Sequence, residues 1–364
     1  MKLTVTQENL SKALGVVGRV ASSKTSLPIL HNILLRTENN RLLLAATNLE
    51  IAITEHIGAK VVTEGSLTVP ARLMSEFIAQ LPKGNIDLSV DGTKLHISSG
   101  SYSSTIHGVL VDEFPELPQI SEALSLTIET ATLKRAISQT ILTTSSDDTR
   151  PVLTGVLVHT FEGHLYLAAT DGYRLSERRL IECKEEISAI VPATTLSDVV
   201  RVTPEDCKEI EILIDEAQVR FRMGEIEVTS RLIDGSFPDY RKLIPKETDI
   251  TFTVEKDEFS RITKIASLFA RESGGSVTIK TDSLKNVISI HSVASQLGEN
   301  TSEASATVNG DGSVTLNSRY LIEALGCIDN PSVSFGFSGK LAPCVVKADA
   351  KETDYQHIIM PLKS

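Results

Sequence analysis

LPILHNILLRTENNRLLLAATNLE (27–50) and RPVLTGVLVHTFEGHLYLAATDGY (150–173) overlie one another without a gap, 123 positions apart. Each alternates like two strands joined by a short polar turn, at 38–40 in the first and 162–163 in the second. The match extends outward. MKLTVTQENLSKAL (1–14) pairs with LSLTIETATLKRAI (124–137), GSLTVPARLMSEFIAQL (65–81) with ISAIVPATTLSDVVRVT (187–203), and DEFPEL (112–117) with GSFPDY (235–240). A weaker third copy follows in DITFTVEKDEFSRITKIASLF (249–269) and GSVTLNSRYLIEALGCI (312–328). A period of about 120 residues is that of a domain, not of a solenoid, whose units run about 20–50 residues.

Each copy is itself double. In the first, a strand at 2–6 leads into a helix at 7–20 with Leu10, Leu14 and Val17 at helical spacing, then strands at 30–37, 41–47 and 49–57. The pattern restarts with a strand at 66–69, a helix at 70–81, and strands near 86–90, 94–98 and 102–106. Pro70 and Pro192 fall in the first turn of their helices, where a missing N–H is harmless. Asp91-Gly92 is a hairpin signal. The other helices are expected at 131–142, 192–203, 256–271 and 317–327. Six βαβββ units predict an α+β fold of three repeated domains, with all helices on one face of the sheets. Six units bending in one sense suggest an arc, and two arcs a ring without open sheet edges.

Composition narrows the function. The 364 residues carry a formal charge of −11, which excludes a protein that coats nucleic acid with its whole surface. Aromatic content is 4%, with no Trp, which argues against stacking platforms for single strands. The N-terminus lacks the apolar stretch of a signal peptide, and no run of 18 apolar residues occurs, so a cytoplasmic protein is expected. Cys183, Cys207, Cys327 and Cys344 stand far apart, as reduced thiols would.

The repeats, together with ATDGYRL (169–175), DGSFPDYRKLIP (234–245) and YQHIIMPLKS (355–364), resemble the bacterial replicative sliding clamps, the beta subunits of DNA polymerase III. The resemblance covers the whole chain, with domains at 1–122, 123–247 and 248–364. It implies a head-to-tail homodimer closed into a ring around duplex DNA, with helices lining the pore. The ring would tether the alpha subunit of DNA polymerase III and other proteins that carry a clamp-binding motif. A clamp loader would open it, and the clamp itself would need neither catalysis nor cofactor. The first copy has Asn48-Leu49-Glu50-Ile51 where the second has Asp171-Gly172-Tyr173-Arg174, so the shared strand end would make a site in only one copy.

Carried over by motif, the partner-peptide groove would use Leu153, Thr170, Gly172, Tyr173, Arg174 and Leu175, with Pro238, Lys242 and Leu243. Asn317, Tyr320 and Cys344 would join from the third domain, and Ile358, Ile359, Met360, Pro361 and Leu362 would line the wall. Arg174 would offer donors to peptide carbonyls, and Met360 would adapt to different partners. The alternative for Leu153, Leu175 and Leu243 is ordinary core. Tyr173 and Lys242 stand where the family varies, and the chain ends in Lys363-Ser364, so peptide preference could shift.

Charge bears on the ring. The six predicted helices hold eleven basic and six acidic side chains, a net of +5, which leaves −16 on the rest. A helix-lined pore through an acidic body predicts that segregation, although helix propensity also favours Lys and Arg. Lys12, Arg19, Arg72, Lys134, Arg135, Arg201 and Lys264 are the candidate phosphate contacts, with Lys24 and Arg150 from polar loops. For the dimer interface, the edge strand at 101–107 with Ile106 would meet an edge near 298–306, with Glu299 and Glu303, beside helix 256–271.

Enzyme motifs fail. GRVASSKT (18–25) has Ser23 where a phosphate loop requires Gly before Lys24, and it follows a helix. The eight histidines show no H-x-x-x-H spacing, and His159 and His164 flank a hairpin turn as surface residues would. Two classes remain: a DNA-encircling clamp, and a peptide-binding scaffold of repeated domains that ignores DNA. Only the first requires a closed dimer with an inward basic face.

Overall fold

The computed structural model describes residues 1–21, 27–120, 123–296, 298–350 and 353–363. Six α-helices lie among them: α1 Gln7–Ala21, α2 Ala71–Gln80, α3 Thr130–Thr140, α4 Ala193–Val202, α5 Lys256–Phe269 and α6 Ser318–Gly326. All six stand within two residues of the expected limits. In α1 the buried stripe is Leu10, Ala13, Leu14, Val17 and Val20, as the 3.6-residue period requires.

The 123-residue offset holds at the level of strands. Asn32–Glu38 and Arg41–Thr47 recur as Gly155–Phe161 and His164–Thr170, and the 3₁₀ turn Pro28–His31 recurs as Pro151–Leu153. Both hairpins turn on two left-handed residues, Asn39 (φ 50°) and Asn40 (φ 60°) in one, Glu162 (φ 48°) and Gly163 (φ 77°) in the other. This geometry matches the right-handed twist of the strands it joins.

Four expectations shift. The strand expected from 30 begins at Asn32, because Pro28 opens a 3₁₀ turn through His31. Pro70 and Pro192 close strands, and Pro70 caps α2 from outside instead of entering its first turn. Asp91 pairs with Lys94, so the turn residues are Gly92 (φ 56°) and Thr93. The strand Lys60–Thr63, mostly exposed and without alternation, pairs with Lys2–Thr4 and escaped the pattern.

The chain forms two compact units, residues 1–131 with 194–232 and residues 132–193 with 233–364. The first unit holds two antiparallel sheets. One has five strands, in the order Lys60–Thr63, Lys2–Thr6, Asn85–Asp91, Lys94–Ser99, Tyr102–His107. The other has eight, in which Ile226–Arg231 pairs with Ile51–Gly58 and so joins strands of the first and second repeats. The second unit holds one twelve-stranded sheet, in which Arg174–Glu182 pairs with Tyr355–Ile359 and joins the second repeat to the third. Sequence repeats and packing units therefore do not coincide. The ladders run across repeat boundaries, and the second repeat contributes to both units.

Candidate functional site

The hairpin at 170–174 is built by its own polar side chains. Thr170 Oγ1 donates to the Arg174 carbonyl (2.7 Å) and accepts from Gly172 N (3.1 Å). Asp171 Oδ1 accepts from Tyr173 N (2.9 Å) and Arg174 N (3.0 Å). Gly172 takes φ 91°, a backbone state that glycine adopts without strain. The turn leaves Tyr173 64% exposed and drives Arg174 inward to 7% exposure.

Arg174 is a bracket. Its Nε donates to Asp171 Oδ2 (3.1 Å), one Nη to Glu323 of α6, and the other to the Leu142 carbonyl (2.5 Å). Its guanidinium also covers the Tyr320 ring, 4.3 Å from the centroid. The fork is thus largely engaged within the protein, which differs from a free donor awaiting peptide carbonyls.

Strand parity sorts the remaining groove residues. Leu175 stands opposite Ile358, and Ile358 opposite Val345. Leu175 and Ile358 pack with Leu157, Ala168, Ile190 and Tyr240, and Phe237, Ile244 and Val345 close over them. Arg174 stands opposite Ile359, and Ile359 opposite Cys344, on the other face. Ile359 and Cys344 are fully buried in the third-repeat core with Phe335, Phe337 and Val346. The expected set therefore divides between two faces of one sheet. Cys344 faces the core, where burial pushes its thiol up to about 12, and its neighbour Val345 meets the Leu175–Ile358 cluster. A one-residue step reverses the face, and the apolar run at 344–346 hides which residue points where.

Pro238, Lys242 and Leu243 are exposed on the segment that passes over this cluster; Leu243 is 50% exposed, and Lys242 pairs with Asp239 (2.7 Å). Leu153 and Thr170 are buried. The C-terminal stretch is tied down by Met360 N to the Tyr173 carbonyl (2.8 Å) and Leu362 N to the Thr315 carbonyl (2.9 Å). Met360, Pro361 and Leu362 are half-buried. Asn317 caps α6, accepting from Arg319 N (2.9 Å). Sequence reasoning missed Val345, Phe237 and Tyr240. It also misplaced His159, which is half-buried, stacked on Tyr166, and bonded to Tyr240 Oη through Nε2 (2.7 Å). Burial first, and Arg241 second, lower its pKa.

The basic side chains differ in what they touch. Lys12 and Arg19 are exposed on one face of α1, seven residues apart. Arg19 approaches Asp198 of α4 (3.8 Å), and Arg72 pairs with Glu76 (2.8 Å). Arg201 and Lys264 are exposed. Lys134 is half-buried, and Arg135 is held by the Cys327 carbonyl (2.6 Å) and Asp329 (2.8 Å). Arg150 lies beside the peptide hairpin, its Nη1 3.7 Å from where a Cβ on Gly172 would stand. Lys24 lies outside the described residues. Arg271 falls in a 3₁₀ turn beyond α5, so the observed helices carry ten basic and six acidic side chains.

Among the sheet edges of the described residues, two lie where the interface was expected. Tyr102–His107 ends the five-stranded sheet. In Gly298–Asn309, residues 306–309 pair with the strand Ile250–Glu255, whereas 298–305 pair only with the strand Val287–Ala294. Glu299 and Glu303 are exposed on that free stretch. Ile106 is 4% exposed within its own domain, so it offers no apolar contact to a partner, contrary to expectation. Exposed apolar residues at these edges are Tyr102 (54%) on the first, Val293 (48%) on the strand paired with the second, and Ile265 (38%) and Leu268 (52%) on α5, which packs against the strand bearing the second edge.

Among the described residues no group of three or more His, Cys, Asp or Glu could hold a metal ion, and no helix is long and apolar enough to cross a membrane. Antiparallel sheets with a repeated helical layer and open edges in the first and third repeats define the class of DNA-clamp folds. Residues 1–118, 127–239 and 241–363 match, in that order, the family models of the N-terminal, central and C-terminal domains of the DNA polymerase III beta subunit. The chain is 30% identical to the beta sliding clamps of Staphylococcus aureus and Staphylococcus epidermidis, over all of both chains. The solved sliding clamp from Bacillus subtilis overlays with a TM-score of 0.96 at 26% identity, covering 100% of this chain and 99% of that one. A Pseudomonas aeruginosa clamp bound to griselimycin overlays at 0.94 and 27% identity, with both chains fully covered. The chain belongs to the DNA polymerase III beta-subunit family.

Proposed function

We propose that this chain is a processivity clamp: a head-to-tail homodimer that encircles duplex DNA and tethers the replicative polymerase. The single observation that carries this reading is the pair of open edges, 102–107 in the first repeat and 298–305 in the third. Antiparallel pairing of the first edge of one subunit with the second edge of its partner, made twice, closes the assembly and leaves neither edge free. Ile265 and Leu268 would supply the apolar part of that contact. Lys12, Arg19, Arg72, Arg201 and Lys264 would meet phosphates without reading sequence, and topology instead of affinity would hold the ring.

The exposed Tyr173, Leu243 and Pro238 around the Leu175–Ile358 cluster would receive the linear peptides of the polymerase alpha subunit, the clamp loader and other partners. The repeats 1–122, 123–247 and 248–364 would be the three clamp domains, and the protein would act in the cytoplasm, on the nucleoid, without catalysis or cofactor. The test is retention: clamp placed by its loader on nicked circular DNA should remain through gel filtration and leave when the circle is linearised. A chain that sediments as a monomer at micromolar concentration, or leaves circle and line alike, refutes the reading.

A further inference from the structure

The peptide hairpin exists twice. In the first unit Thr47 Oγ1 donates to the Ile51 carbonyl (3.0 Å) and accepts from Leu49 N (3.0 Å). Asn48 Oδ1 accepts from Glu50 N (3.0 Å) and Ile51 N (2.9 Å). These are the four bonds of 170–174, atom for atom. The neighbouring strand is copied too. Ile51 and Ala52 stand opposite Ser230 and Thr229, as Arg174 and Leu175 stand opposite Ile359 and Ile358. Arg231 N donates to the Glu50 carbonyl (2.9 Å), as Met360 N does to that of Tyr173. Even the covering segment recurs, with Pro115 of DEFPEL for Pro238 of GSFPDY. A cavity of about 260 Å³ lies here, lined by Leu49, Ile51, Pro115, Pro118, Thr229 and Arg231 among others.

Only the side chains differ. Leu49, at φ 78° and 47% exposed, stands for Gly172 at φ 91°. Thr229 stands for Ile358, and Arg231 for Met360. A leucine in the left-handed region is strained where glycine is not, and retained strain calls for a reason. We infer that Leu49, Thr229 and Arg231 close a second copy of the peptide groove, so that each chain takes one partner peptide instead of two. Leu49 lines the cavity where the other copy has no side chain, while Thr229 and Arg231 replace an apolar wall with groups that lose water when an apolar anchor lands on them. The inference rests on the peptide reading of the 170–174 hairpin.

The test counts peptides. A fluorescent peptide with the family-type Gln-x-x-Leu-Phe pattern is titrated into the full chain by calorimetry and anisotropy. Wild type should bind one per chain, and Leu49→Gly/Thr229→Ile/Arg231→Met should bind two. In the reverse direction, Gly172→Leu should weaken binding by about tenfold or more. It should still fold, because Leu49 already occupies that turn and the added Cβ meets only Arg150 Nη1 at 3.7 Å. A wild type that binds no peptide overturns the groove reading and this inference with it. One peptide per folded triple variant, or a Gly172→Leu chain that binds like wild type, overturns this inference alone.

Discussion

Arg174→Ala separates a bracket from a peptide donor. The substitution removes a guanidinium that is 7% exposed and strands two carboxylates, Asp171 at 15% side-chain exposure and Glu323 at 34%. Breaking a buried ion pair costs about 3–5 kcal/mol. The lower end applies here. Asp171 keeps its bonds from Tyr173 N and Arg174 N, and Glu323 can hydrate. The lost stacking on Tyr320 adds about 0.5–1 kcal/mol, and the freed Leu142 carbonyl a comparable amount. The sum is about 4 kcal/mol, roughly a 10³-fold rise in local opening where the strand 174–178 meets 355–359. A single melting temperature of a multidomain chain would blur this, so the assay is native-state hydrogen exchange. Protection should fall at the Met360 amide, which donates to the Tyr173 carbonyl, and stay unchanged at amides of Arg41–Thr47 in the other unit. Peptide affinity should fall in parallel, because the groove wall loosens. Lost peptide binding with unchanged Met360 protection would refute the bracket and make Arg174 a direct peptide contact.

Three further outcomes are expected. His357 is fully buried, donates to or accepts from Tyr355 Oη at 2.8 Å, and is pushed down to about 3 by burial and then by Arg174. Its folded pKa lies below its unfolded value of about 6.5, so the second unit should lose about 2 kcal/mol between pH 7.5 and 5, and His357→Phe should flatten that loss in exchange measurements. Glu55, with Oε2 unpartnered, is raised to about 7 by burial, against the pull of Lys12 and with the push of Glu225. A raised carboxyl favours the folded state at low pH and loses that benefit as pH climbs from about 4.5 to 7, so Glu55→Gln should stabilise the first unit by about 3 kcal/mol at pH 8 and by little at pH 4, read by urea unfolding. Leu268→Asp should shift sedimentation from dimer to monomer, and an intact dimer would exclude α5 from the interface.

Register was legible in the sequence; orientation was not. An ungapped 123-residue offset aligned Asn32–Glu38 with Gly155–Phe161 and Arg41–Thr47 with His164–Thr170, residue for residue. Turn chemistry carried that information, since polar pairs at 39–40 and 162–163 set where each hairpin reverses. Strands buried on both faces lose their alternation, and there the reading failed. The run Cys344-Val345-Val346 has no polar member to reveal its parity, so the residue facing the core was taken for the one facing the groove. Ile106 failed for the opposite reason. The other positions of its strand are exposed or half-buried, and its one aliphatic residue is the one turned inward. The exposed pair Ile265 and Leu268 on α5 was readable in principle, as apolar residues off the buried stripe of Phe259, Ile262 and Ala266.

Arg174 shows why a motif outlasts the role first assigned to it. Thr-Asp-Gly-Tyr-Arg reads as an exposed binding loop, because its residues are those of turns. In the structure two of those side chains, Thr170 and Asp171, spend their oxygens on the hairpin's own backbone, and Arg174 spends its donors on α6 and the Leu142 carbonyl. Only Tyr173 is left facing outward. The first repeat keeps the same backbone bonds with Asn48 in place of Asp171, but has Ile51 where the bracket would be. Its strand continues into Ile226–Arg231, which belongs to the same compact unit and already lies in a well-ordered sheet. The second repeat's strand continues into Tyr355–Ile359, the last strand of the chain, held from one side by Cys344–Ala348 and from the other by Arg174–Glu182. Arg174 thus ties the strand that meets Tyr355–Ile359 to α6 and to the Leu142 carbonyl, whereas Ile51, at the matching position beside Ile226–Arg231, carries no donor that could do the same.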